Sequence, residues 1–322
     1  MLSRYVKKFA IALAIPAVAL TSAATAHADE KWPNKSIRMI VGFAPGGPTD
    51  YAARFVAEAL GKEMGTTIVV ENKPGANGQT AVGELKRNKA DGNTILFITS
   101  GSLSVAPARY KSLPFDVTKD FDYIGAVSGY PSVLVTNAQS SIQDVTQLVK
   151  ESKERKDGLS AGTVSNTQEL TLALFKQRFG VNAVGVPYKG DSQAMTDIAG
   201  GQLDFAFLSP SVAIPMIESG RVKAIGVTGQ IAGAYQSKLA RIQGLDVIAW
   251  NGIVTRKGTP EAINQQLGSA LKKVLELPEF QAGLAKSGQS VMPIRNKEFE
   301  KFVLDEARMW EKVANDAGLE KL

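Results

Sequence analysis

Apolar positions along the chain follow two rhythms that take turns. The run Ile37-Arg38-Met39-Ile40-Val41-Gly42 is almost continuously apolar, as in a buried strand, and Ala52, Phe55, Val56, Ala59 and Leu60 follow it at helical spacing. The exchange recurs, with extended segments at 37–43, 67–71 and 94–99 and helices at 49–61 and 79–88. Two further extended segments, 123–127 and 132–136, flank Gly129-Tyr130-Pro131. The pattern then restarts: helices at 144–153, 167–179, 191–200 and 211–219 alternate with strands at 158–162, 183–188, 203–208 and 222–228. A strand at 246–254 leads to helices near 260–275, 278–287 and 297–317. This alternation predicts α/β layers around mostly parallel sheets. It also predicts two lobes, 29–128 with 250–322 and 129–249, because the chain crosses between the units near 129–136 and again near 248–254. A double crossing leaves a cleft between lobes and permits hinge closure.

The N-terminus follows neither rhythm. Arg4, Lys7 and Lys8 precede an apolar run from Phe9 to Leu20, and Ala26-His27-Ala28 supplies a small-x-small cleavage site. Residues 1–28 therefore read as an export signal, with the mature chain starting near Asp29. The 12-residue apolar core is short against the roughly 20 residues of a bilayer span, so retention as an anchor is the lesser alternative. Removing the signal takes away three of 37 basic residues and none of the 31 acidic ones, lowering the net charge from +6 to +3. The remaining charges are mixed in sign, as in Lys153-Glu154-Arg155-Lys156-Asp157, so no nucleic-acid partner is expected. The cleaved segment also carries the chain's single histidine, His27, and the sequence has no cysteine. Such a mature chain has no Ser-His-Asp triad, Cys-His dyad, His-ligated metal or disulfide to offer, and no cofactor is expected. Carboxylate pairs and lysine chemistry survive this exclusion.

Two stretches could hold a ligand. The first, FAPGGPTD at 43–50, turns a strand into a helix. It matches neither the G-x-x-x-x-G-K-[ST] nor the G-x-G-x-x-G phosphate pattern. A bare turn of amides beside the Thr49 hydroxyl is small enough for a carboxylate, and a plain Gly-rich connection explains it equally well. The second, 159–168, crowds hydroxyl and amide side chains between a strand and a helix, where Asn166 or Thr167 could simply be the N-cap. Both lie at carboxyl ends of strands, where α/β sheets place ligands, and across a cleft they would form a two-jawed anion clamp.

The chain also resembles the periplasmic solute receptors of tripartite tricarboxylate transporters, including the large Bug group. The resemblance is carried in order by WPNKSIRMIVGFAPGGPTD, VVENKPGANG, KADGNTILF, LPFDVTKDF, VPYKG, IAWNGIVTRKGTP and EARMWEKVANDAG. It implies a two-lobed type II periplasmic binding fold with a ligand cleft between the lobes. It also implies a first jaw of Phe43, Ala44, Gly46, Gly47, Thr49 and Asp50, gripping a carboxylate largely through backbone amides, with Thr163, Ser165, Asn166 and Thr167 opposite. Tyr188 and Ser209 would border the cavity, or else serve strand-end packing and helix capping. Asp50 could instead suit the helix dipole and order waters. Where many members carry a His-Leu pair, this chain reads Gln168-Glu169-Leu170, which adds a negative charge near an anion site. The implied function is a monomeric periplasmic receptor that delivers a small organic carboxylate to integral membrane permease subunits. Signalling to a membrane sensor kinase would use the same clamp. An enzyme would require a carboxylate pair such as Asp50 with Glu169.

Overall fold

A computed structural model describes residues 32–322; the signal features, His27 included, lie outside the described residues. In chain order the elements are β1 (Ile37–Val41), α1 (Pro48–Met64), β2 (Ile68–Asn72), α2 (Gln79–Arg87), β3 (Thr94–Thr99), α3 (Ala106–Arg109), β4 (Phe121–Pro131) and β5 (Val133–Asn137). There follow α4 (Val145–Glu154), β6 (Leu159–Thr163), α5 (Asn166–Phe179), β7 (Ala183–Pro187), α6 (Asp191–Ala199), β8 (Phe205–Leu208), α7 (Pro210–Glu218) and β9 (Val222–Val227). The chain ends with β10 (Ile248–Arg256), α8 (Glu261–Glu276), α9 (Pro278–Ala285), β11 (Ser290–Val291) and α10 (Asn296–Asp316).

The strands form two sheets, ordered β11-β4-β10-β3-β1-β2 and β7-β6-β8-β5-β9. Each is mixed, which corrects the expectation of mostly parallel sheets. The pairs β1 with β2, β1 with β3, β6 with β7 and β6 with β8 are parallel, while β4, β5 and β10 pair antiparallel with their neighbours. The reason lies in the connections. Helical crossovers return the chain parallel, whereas β4 and β10 run side by side in opposite directions, Phe121 opposite Arg256 and Pro131 opposite Ile248. Tyr130-Pro131 does not break β4. The strand continues through Pro131, and Ser132 alone separates it from β5 in the other sheet.

Aromatic packing fixes the crossing. Trp250 on β10 meets Phe299 on α10 edge-on with centroids 5.3 Å apart, and Tyr123 on β4 meets the same ring at 5.8 Å. Trp250 and Phe299 are fully buried, worth about 1.5–3 kcal/mol each. Helix α5 differs from the surface helices. Its buried positions, among them Thr167, Gln168, Leu170, Thr171, Leu172, Leu174 and Phe175, leave almost no solvent face before the last turn, where Lys176, Gln177 and Arg178 are exposed. Phe175 packs edge-on against Phe205 and Phe207 of the second sheet. Val105 and Ala108 near α3, with Trp310 and Val313 of α10, close the same hydrophobic cluster. The lobes thus share a core around α5.

Candidate functional site

Three loops leave the carboxyl ends of β1, β2 and β3 and pack on one another. A Cβ on Gly42 would stand 2.7 Å from the Gly78 Cα, and one on Gly78 would stand 2.3 Å from the Ser102 Oγ. The Ser102 hydroxyl donates to the Asn77 carbonyl at 2.8 Å. Segment 75–78 is wholly left-handed, Gly75, Ala76, Asn77 and Gly78 all having positive φ, a strain that surrounding contacts must hold.

The first jaw is set by Asp50. Its Oδ2 accepts from the Gly46 amide at 3.0 Å and from Arg54 Nε at 2.9 Å, and its Oδ1 accepts from Asn72 Nδ2 at 2.8 Å. Asn72 also donates to the Phe43 carbonyl at 2.9 Å, so one carboxylate and one amide shape the whole turn. Burial opposes the charge of Asp50, but the bonds from Arg54, Gly46 and Asn72 outweigh it and hold the carboxyl below its ordinary pKa. Gly46 takes φ 84°, which favours glycine; Gly47 has φ −82° and occupies the N-cap of α1 with no side-chain cap. The first intrahelical bond runs from Tyr51 N to the Gly47 carbonyl. The amides of Gly47, Thr49 and Asp50 therefore lack acceptors among the described residues, as does the Thr49 hydroxyl. An uncapped helix start with free amides favours an anion.

The second jaw is internally braced. Ser165, rather than Asn166 or Thr167, is the N-cap of α5, its hydroxyl accepting from Gln168 N at 3.4 Å. Gln168 Oε1 accepts from Val164 N at 2.9 Å, and Gln168 Nε2 donates to Asp191 Oδ1 at 3.0 Å. Asp191 Oδ2 accepts from both the amide (3.0 Å) and the hydroxyl of Ser209. Ser209 sits at the N-cap of α7 without capping it. Thr163 Oγ1 turns to the Val186 carbonyl at 3.4 Å. The Tyr188 hydroxyl donates to Asp197 at 2.7 Å in the same lobe, and burial together with that bond pushes its pKa up to about 12. The Thr167 hydroxyl makes no hydrogen bond among the described residues.

The jaws meet. Asn166 Nδ2 donates to the Gly101 carbonyl at 3.3 Å, and Asn77 Nδ2 donates to Asn166 Oδ1 at 3.2 Å and to the Tyr110 hydroxyl at 2.9 Å. One turn along α5, Glu169 takes a bidentate pair from Arg109, Nε at 2.9 Å and Nη2 at 2.7 Å. Asp50 and Glu169 are thus each bonded to an arginine of their own, Arg54 and Arg109. Arg109, Asp191, Asn72 and Asn77 are the residues that sequence reasoning missed. Of these, Asn72 and Asn77 had a signal, since NKPGANG leaves a strand end as FAPGGPTD does. Surface grooves of about 410 Å³ along α4 and about 350 Å³ between α1 and α9 lie apart from this convergence. Among the described residues there is no metal-binding cluster and no helix long and apolar enough to cross a membrane.

Known proteins share this architecture. A UPF0065 protein of Bordetella pertussis is 28% identical over 324 residues, covering 98% of this chain and 99% of that one. A UPF0065 protein from the tcbD-tcbE intergenic region of Pseudomonas sp. strain P51 is 31% identical over 281 residues, covering 84% of this chain and 83% of that one. Among solved structures, periplasmic binding protein BugD superposes with TM-score 0.80 at 30% identity, over 90% of this chain and 100% of that one. An R. palustris protein solved with adipate gives 0.83 at 26% over 90% and 100%, and MatC from Rhodopseudomonas palustris with bound malate gives 0.77 at 25% over 88% and 99%. The family model described as tripartite tricarboxylate transporter family receptor matches residues 52–319. With a matched span this long and a two-lobed fold in common with BugD, the chain belongs to the tripartite tricarboxylate transporter receptor family, the Bug and TctC type of periplasmic binding protein.

Proposed function

We propose that this chain works as a monomeric periplasmic receptor, capturing a small ionised carboxylate between its jaws and delivering it to integral membrane permease subunits. The observation that carries the reading is the start of α1, where the amides of Gly47, Thr49 and Asp50 and the Thr49 hydroxyl stand without partners among the described residues, in a turn held open by Asp50 and Asn72. Free amides at a helix start stabilise a carboxylate through hydrogen bonds and the helix dipole, with no side-chain cation needed. Two relatives solved with adipate and malate support the ligand class. The first jaw would use Phe43, Ala44, Gly46, Gly47 and Thr49, with Asp50 as the organiser of the turn. The second would use Thr163, Ser165, Asn166 and Thr167, with Tyr188 and Ser209 at the border. Lobe limits of 29–128 with 250–322 and 129–249 go with this reading, as does export with cleavage near Ala28. Calorimetric titration of exported protein with adipate and malate tests it. One acid bound per chain is expected for at least one of them. If neither these nor related C4 to C6 acids bind, the reading is wrong.

A further inference from the structure

We propose that Arg109 sets the anion affinity of the second jaw without touching the ligand, by cancelling the charge of Glu169; the proposal rests on the carboxylate-receptor reading above. Glu169 lies in the first turn of α5, three residues beyond Asn166. An acidic residue there suits the helix dipole, but it spends the positive potential at the helix start that an incoming carboxylate would use. Left alone, its charge would repel the ligand.

Arg109 answers it from the other lobe. Both guanidinium bonds to Glu169 are short, at 2.9 and 2.7 Å, and the Arg109 side chain is only 6% exposed against 34% for Glu169. The arginine is also fixed from behind. Its Nη1 donates to the Glu320 carbonyl at 2.6 Å, its own carbonyl accepts from Leu322 N at 2.7 Å, and Lys111 N donates to the Leu322 carbonyl at 3.0 Å. The last residues of the chain thus hold α3 and the guanidinium in register with α5. A planar fork in this position is matched to a carboxylate. Asp191, the other carboxylate of the second jaw, accepts from Gln168 and Ser209, neither of them a cation, so Arg109 is what keeps the charge of Glu169 from adding to that of Asp191.

A scaffolding ion pair and a charge-setting pair respond differently to single substitutions. If the pair only holds the lobes together, removing either partner weakens binding. If it sets the potential, the two removals act in opposite directions. With adipate or malate as calorimetric probe, Glu169→Gln is expected to tighten binding about three- to tenfold, and Arg109→Gln to weaken it by a similar factor. The double variant should return to within about twofold of the unaltered protein. Changes of the same sign, or no change in Glu169→Gln, would overturn the proposal. Should Arg109→Gln fail to melt cooperatively, Glu169→Gln alone decides, since the amide is isosteric and still accepts from the guanidinium. A protein that binds neither acid bears on the receptor reading only. The potential is then read without ligand from hydroxide-catalysed hydrogen exchange of the Thr167 and Gln168 amides, faster in Glu169→Gln and slower in Arg109→Gln, and shifts in one direction would overturn it.

Discussion

At the scale of single residues, the two glycines of the first turn have separate duties. Gly46 is left-handed and is required by the backbone, whereas Gly47 at φ −82° is not, and a Cβ there would meet nothing nearer than the Ala44 carbonyl at 3.8 Å. Gly47→Val is therefore expected to fold, with a melting temperature within a few degrees of the unaltered protein. It should lose at least about tenfold in carboxylate affinity, or about 1.4 kcal/mol, because its methyls crowd the free amides. Normal binding would reduce the turn to a connector. Glu306 offers a test of the lobe junction. Its residue surface is partly exposed, but the carboxyl end is enclosed and bonded by Ser104 and Trp250 Nε1. Burial pushes its pKa up, against those two bonds. With the folded value above the unfolded one, its contribution to stability is complete below the ordinary glutamate range and is lost as pH rises through the folded value. Glu306→Gln should then melt higher than the unaltered protein at neutral pH and alike at pH 4. Each pH unit between the two pKa values is worth about 1.4 kcal/mol.

At the scale of elements, the strand-to-helix alternation was legible because apolar periodicity is local. The predicted strand at 94–99 and helix at 167–179 match β3 and α5 to within a residue. Strand direction was not legible, since whether β10 lies parallel or antiparallel to β3 depends on a partner some 150 residues away. Nor was the passage through Pro131, where a proline at the end of a strand reads as a break until its neighbours are known. The four-residue α3 is too short to show a period, and so Arg109 stayed out of sight. Among the site loops, the part of 75–78 can also be separated by mutation. Asn77 sits at φ 51°, a conformation glycine adopts freely, so Asn77→Gly keeps the loop and deletes only the side-chain bonds to Asn166 and Tyr110. Ligand affinity is expected to fall about three- to tenfold with the fold intact, as the loss of the one neutral hydrogen bond that reaches across to Asn166 implies. Calorimetry on the variant checks it, and unchanged affinity would remove this loop from the site.

At the scale of the whole molecule, α5 is buried between the second sheet and a wall made by α3 and α10. The second jaw is mounted on a shared core, and opening that exposed Leu170, Phe175 and Trp310 together would be costly, at about 25 cal/mol per Å² of apolar surface. Closure is thus expected as a rotation about this wall and the β4–β5 and β10 crossings. Small-angle scattering should show a smaller radius of gyration at saturating ligand than without it. Equal radii would mean a rigid site, or a free protein that is already closed. The proposed ligand is a carboxylate held by uncapped amides. The test is to melt the protein against citrate, C4 to C6 dicarboxylates, acidic amino acids and aromatic acids, each beside its amide or ester, with neutral sugars and cationic amino acids as controls. A ligand at a hundredfold excess over Kd stabilises the folded state by about 2.7 kcal/mol, a rise of a few degrees for a chain of this size. At least one acid is expected to raise the melting temperature while its amide or ester does not; a rise with sugars or cationic amino acids, and with none of the acids, would contradict a carboxylate ligand.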